Sequence, residues 1–167
     1  DFTVEFWCFP TASKKMLIVD ARVNPVSEPW IILTNGSMYL GFFDSVTEAY
    51  SGSGALTANV WQHVAYSRSS GTLRIFKNGV QIYSTTNNNS WGTSLTMTVG
   101  NGKNEVVVGE GYVGYIDDLR ITKGLARYTN NFTPPNVSFY CDPTVDFFRN
   151  NVSLHLSNTG INAAQNN

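Results

Sequence analysis

The sequence predicts an all-β chain, and three observations predict it. From Trp61 to Ser84 the residues alternate with a period of two. Trp61, His63, Ala65 and Ser67 stand against Gln62, Val64, Tyr66 and Arg68; then come Leu73 and Ile75 against Arg74 and Phe76, and then Val80 to Ser84. That period belongs to a strand with two distinct faces. The runs are separated by Ser69-Ser70-Gly71 and by Asn78-Gly79. Glycine takes positive φ freely, and Asn-Gly is the strongest short hairpin signal because a type I′ turn needs positive φ at both central positions. The composition agrees: 42% hydrophobic and 13% aromatic residues can fill a β core, and 14% charged residues is far from the make-up of a disordered chain. The centre of the domain is therefore an antiparallel three-stranded meander.

The other elements follow in order. Phe2, Val4, Phe6 and Cys8 point one way and Thr3, Glu5, Trp7 and Phe9 the other. Both sets contain apolar residues, so this first strand is central, and Pro10 ends it. Met16 to Asp20 is a second apolar run, and the polar segment Asn24 to Pro29 is a loop. Trp30 to Thr34 and Ser37 to Phe43 flank Asn35-Gly36, a second hairpin with the I′ signature. Val46 to Tyr50 is a further strand before the glycine-rich Ser51 to Gly54. Asn87 to Gly92 is a polar loop with one tryptophan, Trp91. Leu95 to Val99 alternates, Gly100 to Asn104 breaks the pattern, and Glu105 to Val108 and Tyr112 to Ile121 resume it. Leu125 to Tyr128 has room for one helical turn at most. Past Pro135 the composition shifts: Val137 to Cys141 and Val152 to Leu156 read as short strands, and Asn158 to Asn167 is amide-rich. This divides the chain into a domain over residues 1–135 and an extension over 136–167.

Several segments carry a family resemblance. Trp61-x-His63-Val64-Ala65, Arg68, Gly71-Thr72-Leu73 and Asn78-Gly79-Val80 resemble the middle of a laminin-G-like domain of the concanavalin A-like lectin/glucanase superfamily. Phe2 to Trp7 resembles its opening strand, and Gly114 to Ile121 its closing one. The continuation Thr122 to Tyr128, with Phe132-Thr133-Pro134-Pro135, is most similar to the form found in bacteriophage structural proteins. The resemblance implies a two-sheet antiparallel jelly-roll sandwich, often glycan-binding and often calcium-assisted. It does not by itself imply an activity. It also implies that the first and last strands are neighbours, which allows a Cys8–Cys141 disulfide, two separate thiols being the alternative. In tandem arrays of such domains, a run like Val152-Ser153-Leu154-His155-Leu156 resembles the first strand of the next repeat. Val152, Leu154 and Leu156 are thus expected to supply an edge strand, either to their own domain or to a neighbouring copy in a homo-oligomer, with a loosely packed tail as the alternative.

These features narrow the function. A formal net charge of −1 leaves no basic field for nucleic acid. No apolar run is long enough to cross a bilayer. Asp1 begins almost inside a strand, so the chain reads as cut from a longer one. Glycosidase chemistry needs two carboxylates about 5 to 9.5 Å apart on one face. Glu5 stands alone, Glu105 and Glu110 are separated, and Asp117 and Asp118 are adjacent, so no such pair is visible. His63 reads as structural, and no Ser or Cys sits in a nucleophile motif. The chain is not expected to be an enzyme. Calcium is the cofactor to consider, with Asp20 and Asp117 as its ligands and Asp44, Asn101 and Asn104 also near turns. For glycan binding through aromatic faces, Trp91 leads, followed by Trp30, Tyr50 and Tyr112, while Trp7 and Trp61 are assigned to the core. The expectation is a non-enzymatic adhesion module of a virion (an appendage, tail fibre or capsid decoration) that binds a host surface polysaccharide or other virion proteins. A secreted or cell-surface carbohydrate-binding adhesin is the alternative, and a glycan-cleaving enzyme is disfavoured.

Overall fold

The computed structural model describes residues 1–22, 30–44, 47–90, 97–102, 110–136, 139 and 152–156, the last group as backbone. Its strands are β1 (Phe2–Pro10), β2 (Met16–Asp20), β3 (Ile31–Thr34), β4 (Gly41–Phe43), β5 (Glu48–Tyr50), β6 (Gln62–Ser69), β7 (Thr72–Lys77), β8 (Val80–Thr86), β9 (Thr98–Val99), β10 (Gly114–Lys123) and β11 (Val152–Leu156). They form a six-stranded sheet, ordered β11-β10-β1-β6-β7-β8, and a five-stranded sheet, ordered β5-β4-β3-β2-β9. Neighbouring strands are antiparallel throughout. The expected all-β, two-sheet jelly-roll sandwich is borne out.

One face of each sheet turns inward. From β1 come Phe2, Val4, Phe6 and Cys8, from β6 Val64 and Tyr66, from β7 Leu73 and Ile75, and from β10 Leu119 and Ile121. They pack with Ile18, Ile32, Leu40, Phe42 and Ala49 of the other sheet and its loops. Phe42 is the hub: its ring lies 6.1 Å from Phe2, 6.2 Å from Trp30 and 6.0 Å from Tyr66. The Tyr66 hydroxyl donates across the sandwich to the Gly41 carbonyl at 3.3 Å, so the buried phenol keeps a polar partner.

The meander's turns follow the sequence. Asn78 and Gly79 have φ of 48° and 78°, and Ser70 and Gly71 have 47° and 75°, positive at both central positions as a I′ turn demands. The Asn35-Gly36 expectation is corrected. The Met38 amide donates to the Asn35 carbonyl, and Met38, with φ of 54°, holds the left-handed position while Gly36 does not. The Asn35 side chain explains the difference, because its Oδ1 accepts from the Ser37 amide at 2.9 Å and fixes a longer turn. The strand after it begins only at Gly41.

At the C-terminal end, β11 pairs with β10 of the same chain, from Leu119 opposite Leu156 to Thr122 opposite Val152. It thereby covers that edge of the sheet. Cys8 is a free thiol in the core, so the disulfide does not form on it. Burial pushes this thiol up to about 12, against smaller opposing effects of Tyr112 and Lys77. Cys141 lies outside the described residues.

Candidate functional site

The outer face of the six-stranded sheet is built by register. Thr3, Glu5, Trp7 and Phe9 point away from the core. On one side β6 sets Ser67, Ala65 and His63 opposite the first three of these, and Trp61 directly precedes it. On the other side β10 sets Thr122, Arg120, Asp117 and Tyr115 opposite all four. The step from Asp117 to Arg120 on β10 spans one residue more than Glu5 to Trp7 on β1. A bulge at Asp118, with φ of 47°, absorbs the extra residue and keeps both Asp117 and Arg120 outward.

One half of this face is sealed by the chain that follows β10. Arg120 donates to Glu5 Oε1 through Nε at 2.9 Å and Nη2 at 2.7 Å, and the Tyr128 hydroxyl donates to Glu5 Oε2 at 2.7 Å. Arg127 Nε stands 3.9 Å from Oε1 and donates to the Thr122 hydroxyl at 2.6 Å. His63 Nε2 lies 3.3 Å from Oε2 without hydrogen-bond geometry. Tyr128 stacks on Phe132 at 3.5 Å, and Phe132 and Phe139 present edges to His63. Burial alone would push the Glu5 carboxyl up. His63, Arg120 and the Tyr128 hydroxyl together outweigh that and hold it below the usual carboxylate range. Glu5 and His63 are both fully buried, and Glu5 is the one carboxylate of the cluster among the described residues. Such a group fastens a segment to a sheet and presents no reacting atom to solvent.

The other half is open. Phe9, Trp61 and Tyr115 form an aromatic trio with centroid separations of 5.6 Å (Phe9–Trp61), 6.0 Å (Phe9–Tyr115) and 6.5 Å (Trp61–Tyr115). Trp61 is 46% exposed and Tyr115 65%, and exposed Val60 and Val113 adjoin them in sequence. The strands hold these rings rigidly: Phe9 and Tyr115 are register partners, and the Asn59 amide donates to the Pro10 carbonyl beside them. Assigning Trp61 to the core is therefore corrected. A signal was present, because Trp61 shares parity with His63 and Ser67 on the outward side of the β6 run, opposite to Val64 and Tyr66.

The residues singled out from sequence are scattered. Trp30 is buried and stacked on Phe42, so its ring cannot meet a sugar; the apolar run it opens, Trp30 to Leu33, packs into the sandwich. Tyr50 is half-buried, with Tyr39 and Phe43 edge-on to it, each at 4.8 Å. Tyr112 packs against the core, and its buried hydroxyl lies near the Cys8 sulfur without hydrogen-bond geometry. Trp91 lies outside the described residues. Asp20, named as a calcium ligand, is fully buried and accepts from Arg22 Nε at 2.9 Å and Nη2 at 2.7 Å. Asp117 lies on the opposite sheet, its Oδ1 accepting from the Asp118 amide at 2.8 Å. Asp44 accepts from the Thr47 amide and from Asn87 Nδ2, and Asn101 from the Gly102 amide; Asn104 lies outside the described residues. Among the described residues no three His, Cys, Asp or Glu side chains gather as a metal site would require.

A family model of the laminin-G type, described as the concanavalin A-like lectin/glucanases superfamily, matches residues 1–126. The chain belongs to that superfamily. Among curated protein sequences none matches it. Solved structures similar to this superfamily member include a putative carbohydrate-binding protein from Bacteroides ovatus, with a TM-score of 0.69 and 15% identity over 93% of this chain and 44% of that one. The native heptameric SAP-like pentraxin from Limulus polyphemus has a TM-score of 0.58 and 17% identity over 72% and 62%. The Ruminococcus gnavus IT-sialidase CBM40 bound to α2,3-sialyllactose has a TM-score of 0.54 and 13% identity over 68% and 70%. The superfamily member thus spans less than two thirds of the first two proteins' own length. At these identities the likeness is one of fold.

Proposed function

We propose that the chain is a non-catalytic carbohydrate-recognition module whose contact surface is the outer face of the six-stranded sheet at Phe9, Trp61 and Tyr115. The observation that carries this is a group of three rings held on one sheet face, of which Trp61 and Tyr115 are, among the described residues, the exposed large aromatics. Large exposed apolar groups mark an interaction surface, and aromatic faces meet the C–H faces of sugars well. The fold's likeness to carbohydrate-binding proteins supports the same reading. Trp61→Ala and Tyr115→Ala should each weaken glycan binding about tenfold, or ~1.4 kcal/mol. As exposed positions, they should leave thermal stability nearly unchanged. Trp91→Ala tests the loop ring in the same assay. A glycan array on which the wild-type chain binds nothing, or on which the Trp61/Tyr115 double variant binds as well as wild type, overturns the proposal. The virion setting is supported by the resemblance of Thr122 to Pro135 alone, and failure of the chain to co-purify with particles would remove it.

A further inference from the structure

We infer that Asn101 is a site of spontaneous covalent modification, converting through a cyclic imide with Gly102 to aspartate and isoaspartate. The sequence holds three Asn-Gly pairs, at Asn35, Asn78 and Asn101. In each, the following glycine has no Cβ to hinder attack by its amide nitrogen on the asparagine side chain, and its backbone bends easily to close the ring. The three differ in what the side chain faces. Asn78 Oδ1 accepts from the His63 amide at 2.8 Å, the Asn78 amide donates to the His63 carbonyl, and Gly79 is buried, so this pair is clamped to β6. Asn35 Oδ1 accepts from the Ser37 amide at 2.9 Å, one residue beyond the nitrogen that would attack. At Asn101 the donor is the attacking nitrogen itself. The Gly102 amide lies 2.9 Å from Asn101 Oδ1, and Asn101 is exposed to water. Oδ1 is bonded to Cγ, so the nucleophile already faces the carbon it must reach, a near-attack arrangement that removes much of the conformational search.

The reaction balances with water and hydroxide alone. The Gly102 nitrogen gives its proton to hydroxide and bonds to Cγ. The Cγ–Nδ2 bond then breaks, and Nδ2 takes a proton from water and leaves as ammonia, closing a five-membered imide. Water opens that ring at either carbonyl. Breaking the bond from nitrogen to Cγ gives aspartate, and breaking the bond to the main-chain carbonyl gives isoaspartate, whose chain runs through Cγ and is one atom longer. Both products add a negative charge. Only isoaspartate turns the main-chain carbonyl into a free carboxylate, and that carbonyl accepts from the Thr98 hydroxyl at 2.8 Å. Beside it the Gly100 amide donates to the Ile18 carbonyl and the Gly100 carbonyl accepts from the Tyr112 amide, both at 2.8 Å. These bonds hold the two-residue β9 against β2. The isoaspartate form therefore loosens that edge of the five-stranded sheet, while the aspartate form keeps the path of the chain.

The test holds the full chain at mildly alkaline pH, with and without urea. Mass spectrometry follows each Asn-Gly peptide, and an isoaspartyl-specific methylation assay reports the rearranged product. In the folded protein Asn101 should convert about tenfold or more faster than Asn35 and Asn78. Urea should remove most of that difference by speeding the other two. Gly102→Ala, which sets a Cβ beside the attacking nitrogen, should slow conversion at Asn101 about tenfold. The purified isoaspartate form should exchange its amide hydrogens faster over Thr98–Gly100 than the unmodified chain. Native conversion of Asn35 or Asn78 as fast as that of Asn101 overturns the proposal, as does conversion of Asn101 only in urea. Aspartate formed at position 101 without isoaspartate, or a rate unmoved by Gly102→Ala, would mean direct hydrolysis and overturn the imide route. Unchanged exchange in the isoaspartate form overturns the loosening of β9.

Discussion

Glu5→Gln isolates the charge that fastens the Gly124–Pro135 segment to the sheet. The amide matches the carboxylate in shape and can still accept from Arg120, and the Tyr128 hydroxyl can rotate to accept from the new NH2 group. What disappears is the negative charge. The Arg120 and Arg127 side chains, 7% and 8% exposed, then face a neutral group. Removing one partner of a buried ion pair costs up to about 3–5 kcal/mol. The surviving hydrogen bonds argue for the lower end, ~3 kcal/mol. For a domain of this size that is a fall of roughly 6–12 °C in melting temperature. Tyr128→Phe removes one 2.7 Å hydrogen bond to the carboxylate, worth about 1.5–3 kcal/mol. Urea unfolding followed by tryptophan fluorescence measures both, and the double variant should lose less than the sum because the two share one carboxylate. A loss under about 1 kcal/mol for Glu5→Gln, or strict additivity, would refute this account of the cluster.

Three further predictions follow from the same structure. Because the folded Glu5 carboxyl titrates below its unfolded value, the folded state binds fewer protons, so its contribution to stability is complete above about pH 5 and is lost as the pH falls below ~4. The difference in urea midpoint between wild type and Glu5→Gln should shrink over that range, and a constant difference down to pH 3 contradicts it. The Cys8 thiol, buried and pushed up to about 12, should resist a thiol reagent at pH 8 in a native Cys141→Ser variant and react only in urea; rapid native labelling would show that the core opens. Gly79→Ala sets a Cβ at positive φ and 1.8 Å from the Phe132 carbonyl oxygen, so it should cost well over 1 kcal/mol and speed tryptic cleavage at Arg127 as the segment lifts; a variant as stable as wild type is the adverse result.

How much of this was legible in the sequence depends on how local each cause is. The meander was readable because alternation and Asn78-Gly79 act within a few residues. At Asn35 the same dipeptide yields a different turn, since a side-chain hydrogen bond to Ser37 competes with the I′ geometry. Glu5 looked solitary because its partners Arg120 and Tyr128 lie 115 and 123 residues away and are brought to it only by the β1–β10 register and the crossing segment. Trp30 and Trp61 were assigned to each other's environment. Tryptophan's residue type does not decide burial, whereas parity within the strand run does, and Trp61 follows the parity of His63, not that of Val64.

The outer face raises one last physical question: why it is apolar beyond the part the chain covers. Trp7, Phe9, Trp61 and Tyr115 continue the row that begins with Thr3 and Glu5, and Phe132 and Phe139 meet this face at His63. If folding alone set this row, polar residues would serve at Trp61 and Tyr115, since an antiparallel sheet can face water on one side and exposed rings favour association. Both edges of the same sheet are guarded against unwanted pairing. Backbone β11 covers β10, and Asn131 Oδ1 takes the Gln81 amide on β8 at 2.9 Å. A chain that covers the β10 edge with β11 while leaving two large rings in solvent is consistent with those rings serving a partner.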